Sequence, residues 1–302
     1  MNGMAHSFLE ALRSRRVLLM DGAMGTEMPR RGLRPPSRPD DWNLDQADIV
    51  RAIHRSYVDA GARVLLTNTF QLNPLARRDR PNQALAEMFQ AAVANARRVA
   101  KRSRYVLIDI GPIMSADNVE FGDMAALDRV LEWAKAAPAD GILFETCSSA
   151  RVRFAIDRAR RIGVPILVSL TYRRNATGRF ETYDGHAPEW FADRARKWGL
   201  DALGVNCGLE ISVVDCATIV RQYRVACDVP LFARPNAGTP KRISRRWRYP
   251  RTPAAMAAEL PHLLEAGATM IGGCCGTTPA HIRAFSQVIE HWNAARPMRT
   301  KP

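Results

Sequence analysis

Two adjacent cysteines, Cys274 and Cys275, stand inside "GGCCGTTP", residues 272–279. Neighbouring cysteines form no ordinary disulfide without strained local geometry. Two thiolates on a backbone free to bend can instead grip one metal ion, and Gly272, Gly273 and Gly276 supply that freedom. A third cysteine, Cys207, lies near the end of the apolar run "ALGVNCG" 202–208. Three thiolates suit zinc, and three protein ligands leave the fourth tetrahedral position open for chemistry. The competing reading of a buried cysteine is a small apolar residue. Spacing alone leaves both readings open for these three, because no close CxxC pair exists. Cys216 and Cys227, in or near helical segments, take the apolar reading, and Cys147 is read as a non-ligand.

Other reactive side chains fall at the ends of apolar runs: Asp21 and Gly22, then Thr67, Asn68 and Thr69, then Glu145, Asn206 and Asn236. Each has a plain structural reading. Asp21 can form a turn at a strand end, Glu145 can be the ion-pair partner of an arginine, and Asn236 can shape a turn. Read from the residues alone, a functional role of the two carboxylates stands open beside the structural one.

These residues are far apart in sequence, so only the fold can bring them together. Eight short apolar runs recur: 17–22, 64–70, 105–112, 141–147, 165–172, 202–208, 231–238 and 269–276. Continuous Val, Ile and Leu fit strands buried on both faces, as in a parallel sheet. Helical patterns lie between them. In 45–61, Ile49, Ile53 and Tyr57 repeat every four residues before Gly61. In 81–100 an apolar face runs from Leu85 to Val99, with Asn82 as the expected cap. In 252–267, Thr252 caps, Pro253 takes the first helical position, and Pro261 is expected to kink the helix. This alternation predicts a (β/α)8 TIM barrel forming a single domain over residues 1–302, with a doubly wound open sheet as the alternative. In a barrel the strand ends, and with them the candidate residues, converge at the C-terminal face.

Composition narrows the class. A chain of 302 residues with 47% hydrophobic content can bury a large core, and no apolar run reaches the roughly 20 residues that span a bilayer. The N-terminus has no secretory pattern and six cysteines are too few for a disulfide scaffold, so a reducing cytoplasm is expected. The net charge is +14, but lysine occurs only five times and the arginines are scattered, which argues against a nucleic-acid surface. One dense basic cluster, "KRISRRWRY" 241–249, follows the seventh run.

The segments "DGAMGTE" 21–27, "TNTF" 67–70, "ETC" 145–147, "GVNCG" 204–208, "PNAGTP" 235–240 and "GGCCGTTPAHI" 272–282 resemble the homocysteine S-methyltransferase family of zinc-dependent barrels. The resemblance covers nearly the whole chain. It implies that Cys207, Cys274 and Cys275 hold Zn2+ and that Asp21 and Glu145 hold the homocysteine ammonium. It also implies that backbone N–H groups near Gly22 meet the carboxylate, with Thr67 nearby. The Asn236 carbonyl is the group expected at the open zinc position when substrate is absent. Homocysteine and a methyl donor are the implied partners. Betaine-type members carry a Tyr after the "TNTF" equivalent, where this chain has Gln71, so the donor is expected to be S-methylmethionine, S-adenosylmethionine, or methylcobalamin on a separate corrinoid protein. A noncatalytic thiol or zinc protein would keep the tripod without needing the two carboxylates.

Overall fold

The computed structural model describes residues 7–14, 16–243 and 246–296. The eight apolar runs become eight parallel strands: β1 Leu18–Leu19, β2 Val64–Leu66, β3 Tyr105–Ile110, β4 Gly141–Cys147, β5 Ile166–Leu170, β6 Ala202–Asn206, β7 Leu231–Arg234 and β8 Ala268–Ile271. Each strand pairs with its neighbour in sequence from β2 to β8, and β8 pairs with β1. A single parallel bridge, Met20 to Val64, brings β1 back to β2 and closes the barrel. The strands are shorter than the apolar runs because the polar end of each run leaves the ladder.

Alternation along the strands builds two apolar zones. Val106, Ile108, Ile142, Phe144, Ile166, Val168 and Ala233 pack outward in the main core against the helices. Leu66, Leu107, Leu143, Leu167, Ala202, Phe232 and Met270 point into the barrel and fill it. Near the N-terminal end, Phe8 of the helix Phe8–Arg13 packs on Tyr105, with ring centroids 5.1 Å apart. One pleat further along the same inner face come Asp109, Glu145, Ser169 and Arg234, all buried. The barrel interior therefore changes from apolar to polar at the strand ends.

The expected helices are present as Ala47–Asp59, Asn82–Ala100 and Pro253–Glu265. Thr252 caps as expected, its hydroxyl accepting from the Ala255 amide at 3.3 Å. Asn82 does not cap its helix: Pro81 holds the cap position and Asn82 is the first helical residue. Proline's fixed φ suits that entry, so no side-chain acceptor is used there. The helix Pro253–Glu265 is one continuous element that contains Pro261.

Two antiparallel hairpins rise after strand ends. Arg173–Arg174 pairs with Phe180–Glu181 after β5, and Lys241–Ile243 pairs with Arg246–Arg248 after β7. The second carries the basic cluster, of which Ser244 and Arg245 lie outside the described residues.

Candidate metal centre

The residue after β6 makes a sharp turn. Cys207 has φ 55° and Gly208 φ 89°. A left-handed cysteine costs about 1–2 kcal/mol relative to the right-handed form, and such strain is retained where surrounding structure fixes it. After β8 the second half of the site is pinned by backbone hydrogen bonds. The Gly273 amide donates to Asp21 O, Cys274 N donates to Pro235 O, and Ala237 N donates to Cys275 O, at 3.0, 3.0 and 2.9 Å. Gly273 has no room for a side chain, since a Cβ there would lie 2.6 Å from Thr277 Cγ2. Gly276, with φ 81°, completes the turn.

These turns bring the three expected ligands together. The Sγ atoms of Cys207, Cys274 and Cys275 all lie within 4.8 Å of one another. Tetrahedral zinc with sulfurs at about 2.3 Å needs them about 3.8 Å apart, so small side-chain rotations fit the ion. Hydrogen bonds from Cys274 and then Cys275 pull the Cys207 thiol down to about 3. The same contact with Cys207 raises Cys274 to about 11 and raises Cys275 as well. The three sulfurs thus share one negative charge, a donor set ready for a soft cation. Cys147 and Cys216 are buried away from this cluster, and burial raises both thiols. Cys227, half-buried, is also outside it.

Asn206, the last residue of β6, is the organiser that sequence reading placed at a strand end without giving it a role. Its Oδ1 accepts from Thr146 N at 3.1 Å and from the Ser169 hydroxyl. Its Nδ2 donates to Thr146 Oγ1 at 2.7 Å and reaches Cys274 Sγ at 3.6 Å. Thr146 is itself left-handed, φ 62°, at an irregularity in the β4–β5 register next to Glu145. Asn236 Nδ2 stands 3.5 Å from Cys207 Sγ, while its Oδ1 is buried without a partner among the described residues.

A cavity of about 400 Å³ opens beside the sulfurs, lined among others by Cys207, Cys275, Asn236, Thr146, Tyr183 and Tyr249. Asp21, Gly22, Thr67 and Glu145 are not on its wall. Thr67 ties β2 to β3: its Oγ1 pairs with Thr69 Oγ1 at 2.6 Å and accepts from Asp109 N at 3.1 Å. Gly22 is packed so tightly that a Cβ would meet Tyr57 Cε1 at 2.7 Å.

Asp21 and Glu145 converge, but on a cation of the protein itself. Arg234, at the end of β7, lies 3.5 Å from Asp21 Oδ1 and 3.4 Å from Glu145 Oε1. Its Nη2 donates to Gly273 O at 2.9 Å. Burial raises both carboxyls to about 7, with Arg234 opposing that shift. Sequence reading missed Arg234. The available signal was a lone arginine in the apolar run "LFARPNAG", two residues after an inward-facing phenylalanine.

Comparison with known proteins places this geometry. The profile described as homocysteine S-methyltransferase matches residues 18–289. A methionine synthase of Mycobacterium tuberculosis (strain ATCC 25618 / H37Rv) is 32% identical over 315 residues, covering 95% of this chain and 25% of that protein. A methionine synthase of Mycobacterium leprae (strain TN) is 29% identical, over 94% of this chain and 25% of its own. The chain thus spans about a quarter of the length of these curated relatives. In fold it is similar to the metallated form of the homocysteine methyltransferase MmuM from Escherichia coli, with TM-score 0.75, 23% identity, and coverage of 92% of this chain and 99% of that one. With the profile matched across nearly the whole barrel, the chain belongs to the homocysteine S-methyltransferase family.

Proposed function

We propose that the protein transfers a methyl group to the thiol of homocysteine, giving methionine, at a zinc site held by Cys207, Cys274 and Cys275. The observation that carries this reading is the convergence of three thiols within 4.8 Å, two of which, Cys207 and Cys275, line an open cavity. The donor set fits zinc: three soft sulfurs sharing one charge, with room for a fourth ligand. Zinc there supplies a Lewis acid that lowers the pKa of an acceptor thiol from about 8.5, so that it reacts as the thiolate at neutral pH.

The chain's own groups do the rest. Cys207, Cys274 and Cys275 fix where the acceptor sulfur sits, and Thr146 and Asn206 hold that framework rigid. Asn236 is the group we assign to the fourth position without substrate, since turning its amide over presents the unpartnered Oδ1 toward Cys207. The cavity beside Cys207 and Cys275 leaves space for a donor. In the transfer the acceptor loses its S–H proton and its sulfur lone pair forms the new S–C bond. The donor keeps the electrons of the broken bond, so a sulfonium leaves as a neutral thioether. Asp21 and Glu145 are the groups proposed to face the homocysteine ammonium, with Gly22 and Thr67 beside the substrate's amino-acid end.

The donors proposed are S-methylmethionine or S-adenosylmethionine, or methylcobalamin on a separate corrinoid protein. Zinc-loaded protein is supplied with homocysteine and each donor in turn, and methionine is quantified. Turnover with one donor identifies it, and no methionine with any donor refutes the reading.

A further inference from the structure

The polar end of the barrel interior holds a third carboxylate, Asp109, to which the proposed reaction has so far given no role. It lies on β3 two residues after the inward-facing Leu107, so the pleat turns it inward as well. Its backbone is tied on both sides: Asp109 N donates to Thr67 Oγ1 at 3.1 Å, and Asp109 O accepts from the Thr69 hydroxyl at 2.6 Å. Its carboxylate is not tied. Oδ1 is buried and accepts no hydrogen bond among the described residues. Burial and then the neighbouring charge of Glu145 push this carboxyl well above the ordinary range, with Asp21 adding to the shift and Arg234 opposing it.

The count of charges is a second, independent observation. One buried cation, Arg234, stands among three buried acids, Asp21, Asp109 and Glu145. Its ion pairs go to Asp21 at 3.5 Å and to Glu145 at 3.4 Å. A single guanidinium offsets a single carboxylate, so the cluster keeps a negative balance. Donors are short as well. Nε and Nη2 of Arg234 both donate to the Gly273 carbonyl, at 3.3 and 2.9 Å. Asp21 Oδ1, Asp109 Oδ1 and Glu145 Oε1 are left as buried acceptors without a donor among the described residues. Such acceptors are costly to leave unpaired. An ammonium brings one positive charge and a set of N–H donors, which answers both shortages at once.

We infer that Asp109 is a third carboxylate of the acceptor's ammonium pocket and sets its preference for amino-acid thiols over thiols that lack the amino group. This rests on the reading of the cysteine cluster as the place of the acceptor sulfur and of Asp21 and Glu145 as ammonium partners. With Asp109 the acids outnumber Arg234 by two; without it they outnumber Arg234 by one, and the pull on an ammonium falls accordingly. Asp109 orients the acceptor and takes no part in making or breaking bonds.

The test is calorimetric titration of zinc-loaded protein, without donor, by homocysteine and by its desamino analogue 4-mercaptobutyrate. Asp109→Asn keeps the size of the side chain and removes its charge. It is expected to weaken homocysteine about tenfold or more and to leave the analogue within about threefold of its wild-type dissociation constant. Asp109→Ser is expected to behave alike, and it gives the reading if the asparagine variant fails to fold. Equal weakening of both thiols would mean that Asp109 only supports the fold of the pocket, and unchanged homocysteine affinity would mean that the ammonium does not meet it; either result overturns the inference. If that happens while wild-type protein still prefers homocysteine, the functional reading stands with Asp21 and Glu145 alone. A wild-type protein that binds neither thiol overturns both.

Discussion

Three sulfurs sharing one charge have a measurable chemical signature. With Cys207 low and Cys274 and Cys275 high, loading a divalent metal onto all three releases about two protons at neutral pH. Zinc affinity should therefore rise about a hundredfold per pH unit near pH 7, as read by competition with a chelator at several pH values. Single Cys→Ser changes at 207, 274 and 275 should each reduce bound zinc, while Cys216→Ser and Cys227→Ser should retain one equivalent per chain by elemental analysis. A second signature belongs to Glu145. Its folded-state carboxyl is raised from 4.5 to about 7 by burial. Between those values the folded chain keeps a proton that the unfolded chain has released, so stability falls as pH climbs from about 4.5 to about 7. Glu145→Gln should flatten that slope, seen in urea midpoints across pH 4–8. The cysteines and carboxylates were legible because their residue types are rare at strand ends. Arg234 was not, because an isolated arginine carries no sign of which way its strand faces. The left-handed turns at Thr146 and Cys207 were hidden too, since neither residue type announces positive φ.

At the scale of elements, all eight strands were legible from apolar runs, but their ends were not. β1 keeps only Leu18 and Leu19 of the run 17–22, because Asp21 turns its carboxylate onto the Leu66 amide at 2.8 Å. Loops hold what periodicity cannot show. Arg77, 1% exposed, pairs with Asp40 and with Asp41, the latter at 2.7 Å, and with Asp79 at 3.0 Å. It fastens the segment after β2 to the long connection after β1. Removing one partner leaves buried acids uncompensated, so Arg77→Ala should lose about 3–5 kcal/mol in chemical denaturation. Zinc content should be preserved, since none of these residues touches the sulfur cluster.

The whole molecule is strongly basic at +14, yet much of that charge is locally paired, as in Arg97 with Asp140 and Arg158 with Asp128. Among the described residues no helix is long and apolar enough to cross a membrane. The hairpin after β7 is different, for Lys241, Arg242 and Arg248 are exposed, and its flanking residues Pro240 and Tyr249 line the cavity. If methyl groups arrive on an acidic protein, changing these three to Glu should slow transfer most at low salt and leave a small sulfonium donor nearly unaffected. Initial rates with the two donor types at two ionic strengths check this. The barrel's closure has its own consequence. Seven of the eight joints between strands are ladders, while the eighth is the Met20–Val64 bridge with its flanking amide bonds, Arg63 N to Leu19 O and Asp21 N to Val64 O. A cylinder with one thin seam opens there first under thermal fluctuation, so deuterium should enter the Arg63 and Asp21 amides ahead of the other strand joints. Asp21 sits on that seam, so the proposed acceptor pocket is where the barrel is expected to breathe.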